Sequence, residues 1–200
     1  DPDLAKIKSD RKAFRVELAA RLARTGERTT PIQLDQKIAA IERAADTRSV
    51  MEYIEARGGK AAYWQCDVTD QASVFDAVEK ISQVESRVDV FFHAAGIDKS
   101  KKVTQKSLDE FTQVVNVKTQ GFLNTFKALE KFGRIPNSVV FFSSVAGRFG
   151  NSGQTDYSAA NDYLSKLAGW LPQRYPNLQA ISIDWGAWAD VGMASRGNIP

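Results

Sequence analysis

Apolar residues recur every three or four positions near the start of the chain. In "DLAKIKSDRKAFRVELAARLARTG" they fall at Leu4, Ile7, Phe14, Leu18 and Leu22, which predicts one helix that stops at Gly26. "TTPIQLDQKIAAIERAA" opens on threonine and proline, a common helix start, and "TRSVMEYIEARGG" predicts a further helix that ends on paired glycines. After Gly59 the pattern changes. "KAAYWQCDV" predicts a short strand ending in aspartate, "QASVFDAVEKISQVES" an amphipathic helix, and "VDVFFHAAG" a strand too apolar for a half-exposed sheet. "SLDEFTQVVNVKTQGFLNTFKALEKF" predicts a long helix with Ser107 as N-cap and Glu110 at capping-box spacing. "SVVFFSS", "DYSAANDYLSKLAGWL" and "LQAISIDWG" then predict a buried strand, a helix and a fourth strand. Apolar strands alternating with helices predict an α/β fold whose parallel sheet is covered on both faces, preceded by a helical segment. The division falls at 1–59 and 60–200.

A chain of 200 residues with 43% hydrophobic content is long enough to bury a core of its own. A net charge of +3 with no basic stripe among aromatics gives no reason to expect a nucleic-acid partner. The basic clusters "DKSKK" (98–102) and "KSDRK" (8–12) read as solvated faces. Cys66 is alone, which excludes an internal disulfide framework, and no histidine or cysteine stands near it at zinc-ligand spacing. No apolar run approaches the ~20 residues of a membrane span, and "DPDLAKIKSD" lacks the features of a signal peptide. These observations predict a soluble cytoplasmic protein.

Ligands of open parallel sheets bind beyond the carboxyl ends of the strands. Here those ends carry "CDVTD", "HAAG", "FSSVAG" and "DWGAW", small or polar stretches after apolar runs, and they predict one crevice. Ser144 ends a strand, Tyr157 opens the next helix thirteen residues later, and Asn161 lies one turn beyond on the same helix face. A lone Tyr-x-x-x-Asn arises readily by chance. A serine at a strand end, at this separation, makes chance a poorer explanation.

Tyr157 and Ser144 at this spacing resemble the short-chain dehydrogenases, but that family usually has lysine where Asn161 stands. In "NVKTQG" (116–121) Lys118 lies three residues before Gly121, where the family usually has its catalytic asparagine. The two departures are reciprocal and amount to an exchange. That exchange resembles the ketoreductase domains of polyketide and related fatty-acid synthases. "HAAG" resembles their version of the Asn-Ala-Ala-Gly turn, and "FFSSVAGRFGNSGQTDYSAAN" is similar to their serine-to-asparagine run. "IDWGAWADVGMA" is similar to their Trp-Gly-Pro-Trp ending, with Ala187 in place of proline. The resemblance covers roughly 60–195. Residues 3–58 resemble the long insertion between the second and third strands of some synthase ketoreductases, including those of polyunsaturated fatty-acid synthases.

The resemblance implies a Rossmann-like doubly wound fold and NADPH-dependent reduction of a β-ketoacyl thioester held on an acyl carrier protein. It implies that Tyr157 donates the proton and that Ser144 hydrogen-bonds the carbonyl oxygen. Lys118 would lower the cost of proton release and hold the nicotinamide ribose, with Asn161 orienting the lysine or a relay water. Asp67 and Val68 resemble the adenine-contacting pair, Ala94, Ala95 and Gly96 let the backbone approach the cofactor, and Trp185 with Gly186 would wall the nicotinamide site. Structural readings stand beside these: Asp67 as a turn cap, His93 as a turn residue, Cys66 as a buried apolar group. Lys99, Lys101 and Lys102 read as a solvated loop that could also meet an acidic carrier protein, and Lys166 needs no role.

No G-x-G-x-x-G is present, nor an arginine recognisable as a 2′-phosphate ligand. By the family's strand order, residue 1 falls just beyond the second strand and Pro200 within the substrate-lid segment. The first two strands and the last would then be absent, and the expectation is an excerpt of a larger synthase, with other synthase domains as partners. A catalytically silent piece bracing a synthase module and a reductase of free small-molecule ketones are the alternatives. The family's Leu-Asp-Asp fingerprint of hydroxyl configuration is replaced by Asp98, Lys99 and Ser100, and Phe149 stands where the opposite fingerprint has tryptophan.

Overall fold

The computed structural model describes residues 2–188 and separates the chain into two compact units, Asp1–Tyr63 and Trp64–Pro200. Expectations that fall on residues 189–200, the lid segment among them, lie outside the described residues.

The first unit is helical: α1 (Pro2–Ser9), α2 (Arg11–Arg24) and α3 (Pro31–Glu55). The single helix expected up to Gly26 is in fact two. Asp10 takes an extended conformation and its carboxylate accepts the backbone N–H groups of Lys12 and Ala13, so it ends one helix by capping the next. The opposite correction applies further on. The two helices expected between residues 29 and 59 are one continuous α3, because no glycine or proline stands in the sequence "RAADTRSV" to interrupt it. Thr30 and Gln33 form the capping box at its start, with Pro31 at the first helical position. Ile7, Phe14, Leu18, Leu34 and Ile38 are buried together, with Leu22 half-buried beside them. Ion pairs such as Arg21–Asp3 at 2.7 Å run around this core.

The second unit begins with a correction. Residues 60–68 form no strand, since no neighbouring strand pairs with them among the described residues. Cys66 instead joins a cluster with Val74, Val78, Ala128 and Leu129. Helix α4 (Gln71–Val84), capped by Asp70, leads to β1 (Val90–His93). A 3-10 turn (Val103–Gln105) precedes α5 (Leu108–Lys131), where Ser107 and Glu110 make the expected capping box. Strand β2 (Ser138–Ser144) is followed by α6 (Val145–Phe149), a single short helix with no warning in the pattern. Helix α7 (Thr155–Arg174) and β3 (Gln179–Trp185) complete the described part.

The three strands form one parallel sheet in the order β1-β2-β3, with Val139 of β2 opposite Phe91 and Ala180. Parallel crossovers are right-handed, and a sheet that advances in one direction therefore receives its connecting helices on one side. Phe122 and Phe126 of α5 and Leu164 and Leu171 of α7 pack there on Val139 and Phe141. Burying each of these phenylalanines contributes roughly 1.5–3 kcal/mol. Cover on both faces is not what the described residues show. The alternate strand positions Phe92 and Ile181 stay 61% and 56% exposed, and Phe92 meets Phe142 edge-on at 6.5 Å. Within this limit the architecture is the expected α/β, Rossmann-like one. No helix among the described residues is long and apolar enough to cross a membrane.

Candidate active site

The carboxyl ends of β1, β2 and β3 open into a cavity of about 620 Å³. Ala94 and Gly96 line it just after β1, Ser143 and Ser144 at the end of β2, and Trp185 to Trp188 at and beyond the end of β3. Lys118 reaches it from α5 and Tyr157 from α7. Three of the four strand ends expected to converge do so, while the "CDVTD" end contributes no residue to the lining.

Lys118 is buried, and its side chain reaches from α5 to β2. Its Nζ donates to the carbonyl of Phe142 at 2.8 Å and stands 5.8 Å from the centre of the Tyr157 ring. Burial draws its pKa down to about 8, so the amine is still mostly charged at neutrality. Gly96 makes room for it: a Cβ there would come within 3.0 Å of Lys118 Cε and 3.3 Å of Nζ. The space expected to admit the cofactor's approach at Gly96 is thus shared with the lysine.

Tyr157 is the third residue of α7, and its ring packs with Val114 of α5 and Ala146 of α6. Burial raises the phenol's pKa, and the nearby Asp98 carboxylate acts in the same direction. The polar side chains of Ser144 and Asn161 act the other way and favour the phenolate. The first turn of a helix favours negative charge as well. Ser144 also caps α6, its Oγ accepting the N–H of Ala146 at 3.2 Å. Gly147 lets α6 lie directly on α7, since a Cβ there would be 2.8 Å from the backbone nitrogen of Asp162 and 2.9 Å from Asn161 Cβ.

Asn161 is wholly buried behind the tyrosine. Its Nδ2 donates to the Tyr157 carbonyl at 2.7 Å, and its Oδ1 has no partner among the described residues. Its backbone carbonyl accepts the Ser143 hydroxyl at 3.0 Å, which ties α7 to β2. No hydrogen bond joins it to Lys118.

The other expected residues divide. Ala94, Gly96, Trp185 and Gly186 line the cavity; Ala95, Asp67 and Val68 do not. The Asp67 carboxylate accepts the N–H and hydroxyl of Thr69 at 2.9 and 2.7 Å, a turn cap that holds its pKa low. The carbonyl of Val68 accepts from Asn124 at 3.0 Å, and its side chain lies against Gly121. Trp185 stacks edge-on with Trp188 at 5.0 Å and obliquely with Phe142 at 5.7 Å, giving the cavity an aromatic wall. Asp98 and Gln154, joined at 2.9 Å, also face the cavity. Sequence reasoning uses Asp98 only as a fingerprint position and passes over Gln154, for which no motif signals a role.

His93 does more than shape a turn. It is buried, and its Nε2 lies 2.8 Å from the carbonyl of Lys118, which holds α5 against the end of β1. Burial lowers its pKa from 6.5 to about 4, so the ring is neutral at pH 7 and Nε2–H is the donor. The unfolded chain would protonate His93 near pH 6.5 and the folded chain only near 4. Stability from this group is therefore full above pH 6.5 and is lost as pH falls towards 4, by up to about 3 kcal/mol. Urea unfolding between pH 7 and 4.5 is expected to show that extra loss in the wild-type chain relative to His93→Gln, which keeps a donor but does not titrate there. Parallel profiles for the two would contradict it.

The family model of the KR domain matches residues 16–190. A polyunsaturated fatty acid synthase subunit from Thraustochytrium is 35% identical over 193 residues, 94% of this chain and 7% of that protein. Erythronolide synthase EryA3 of Saccharopolyspora erythraea is 32% identical over 178 residues, 88% of this chain and 5% of that protein. The chain thus spans no more than 7% of the length of these two relatives. Among solved structures, a ketoreductase domain from the bacillaene assembly line superposes with a TM-score of 0.67 at 30% identity, over 74% of this chain and 36% of that one. An N-terminal ketoreductase from the macrolactin assembly line gives the same TM-score at 23% identity, over 72% of this chain and 30% of that one, a likeness of fold. With the family model spanning most of its length, this chain belongs to the ketoreductase (KR) domain family, oxidoreductases of the short-chain dehydrogenase/reductase fold.

Proposed function

We propose that residues 60–200 are catalytic core of a ketoreductase that reduces a β-ketoacyl thioester, carried on an acyl carrier protein, to the β-hydroxyacyl thioester with NADPH. Residues 1–59 are a helical insertion in it, and the whole works in the cytoplasm beside other domains of a polyketide or fatty-acid synthase. The observation that carries this reading is the shared cavity of the Lys118 amine, the Tyr157 phenol and the Ser144 hydroxyl. The 35% identity to a polyunsaturated fatty acid synthase supports the setting.

The cavity fits a nicotinamide ring: Ala94, Gly96 and Gly186 leave backbone accessible, and Trp185 offers a flat apolar wall. Lys118 would hold the ribose, with Asp67 and Val68 towards the adenine; Ala95 belongs to the turn that leads into the site. Bound there, the cofactor supplies the hydride that adds to the carbonyl carbon. Tyr157 gives its hydroxyl proton to the carbonyl oxygen as negative charge builds on it, and Ser144 donates a hydrogen bond to the same oxygen. The lysine ammonium favours the phenolate left behind, offsetting the cost that burial imposes on it. Asn161, whose buried Oδ1 has no partner among the described residues, would orient the lysine or a relay water.

The test is an assay of the protein carrying this chain with a β-ketoacyl thioester on a carrier protein, following loss of reduced-nicotinamide absorbance with NADPH and, separately, with NADH. Turnover with NADPH to the β-hydroxyacyl product is expected. A protein that binds NADPH yet oxidises none of it on ketoacyl substrates would favour the silent, bracing role.

A further inference from the structure

The mechanism above leaves one buried ion pair unused. Lys106 Nζ lies 2.6 Å from both Oδ1 and Oδ2 of Asp156, and the two side chains are only 3% and 0% exposed. Neither residue lines the cavity. Taking two charges out of water is costly, and an apolar pair of similar size would usually serve stability as well. What an ion pair adds is direction and distance.

Its position gives that distance a use. Lys106 immediately precedes Ser107, the N-cap of α5, and Lys118 lies roughly three turns further along that helix. Asp156 is the second residue of α7 and directly precedes Tyr157, whose backbone N–H its Oδ1 also accepts at 2.9 Å. The pair joins the starts of the two helices that carry the ammonium and the phenol. Two further contacts run between the same segments: Lys101 N–H donates to the Gly153 carbonyl at 2.9 Å, and Gln154 Nε2 donates to Asp98 Oδ2 at 2.9 Å. Gln154 is the residue before α7 and makes no side-chain cap, which leaves the Asp156 carboxylate as the side chain that satisfies an N–H of the first turn.

We propose that Lys106 and Asp156 are positioning residues, a buried strut that sets how far the Tyr157 hydroxyl stands from the Lys118 ammonium. This rests on the reading of Tyr157 as proton donor. The charged and polar groups that face Tyr157 are Lys118 from α5, Asp98 from the connection after β1, Ser144 from the end of β2, and Asn161 from α7 itself. Removing the strut lets α7 shift against Lys118 and Asp98, and the loss falls on proton transfer, not on ligand binding.

The test compares Lys106→Met, Asp156→Asn and the double variant in the protein that carries this chain. Each single change is expected to lower kcat by about 30- to 100-fold, with KM for thioester and nucleotide within about threefold of wild type. The double variant also lacks the strut and is expected to keep that loss in kcat while regaining stability, since no buried charge is left unpaired; a double variant with wild-type kcat would overturn the proposal. Wild-type kcat in a folded single variant would overturn the proposal, as would a loss confined to the melting temperature. If Tyr157→Phe is inactive while the pair variants turn over normally, the strut fails and the reductase reading stands. If the wild-type protein reduces no ketone, the strut is judged by the Tyr157 phenol titration, read by NMR of the ring-labelled chain. An upward shift in folded Lys106→Met supports it, and an unchanged curve overturns it.

Discussion

Tyr157→Phe is expected to lower ketone reduction by about a thousandfold while leaving KM for thioester and nucleotide nearly unchanged. The phenyl ring keeps its place among Val114, Ala146 and Ile97, so the fold and the cavity wall survive. Only the hydroxyl is lost, and with it the acid that neutralises the developing alkoxide. General acid catalysis from a positioned group contributes on the order of 10²–10⁴ in rate. The middle of that range applies here: the phenol is buried, where water is a poor substitute, but Ser144 still donates to the oxygen. Steady-state assay with a saturating β-ketoacyl thioester checks this, together with a melting curve to establish that the variant is folded. Turnover within tenfold of wild type would remove Tyr157 from the role of proton donor.

Lys118→Met is expected to cost roughly a hundredfold in kcat, because the buried phenolate then forms with no cation beside it. The wild-type pH profile carries the same information. Lys118 titrates near 8, so the ammonium is present below that value and disappears as pH rises through it. Turnover is therefore expected to fall on the alkaline side with an apparent pKa near 8, and Lys118→Met is expected to lack that limb. A wild-type rate that stays flat from pH 7 to 9 would show that the charge on Lys118 does not assist the chemistry. A shared alkaline limb in both proteins would assign it to another group.

Much of this arrangement could be read from side-chain pattern. The capping box at Ser107 and Glu110 fixed the start of α5, and that start determines which residue of "NVKTQG" faces the sheet. The apolar runs "VDVFFHAAG" and "SVVFFSS" marked strands whose small residues at the ends then opened into the cavity. Local chemistry was less legible where two outcomes are close in energy. Asp10 is tolerated inside a helix and favoured as a cap, and the hydrogen bonds its own side chain accepts from Lys12 and Ala13 make it the cap here. Residues 60–68 have strand composition, but pairing is a property of a neighbour and not of the segment itself. His93 and the Lys106–Asp156 pair act across 25 and 50 residues of sequence, and no short motif encodes contacts of that range.

Gly147 has an effect on how the cavity can respond to a ligand. By bringing α6 onto the backbone of α7, it makes the serine-bearing turn and the tyrosine-bearing helix move as one body. On the proposed reading the hydroxyl pair is preset, and adjustment to acyl chains of different bulk would fall to the rim at Gly186, Ala187 and Trp188, beyond the point where Trp185 pairs with Ser144 in the sheet. Tolerance for different acyl tails and rigidity of the proposed proton donor would in this way belong to separate walls.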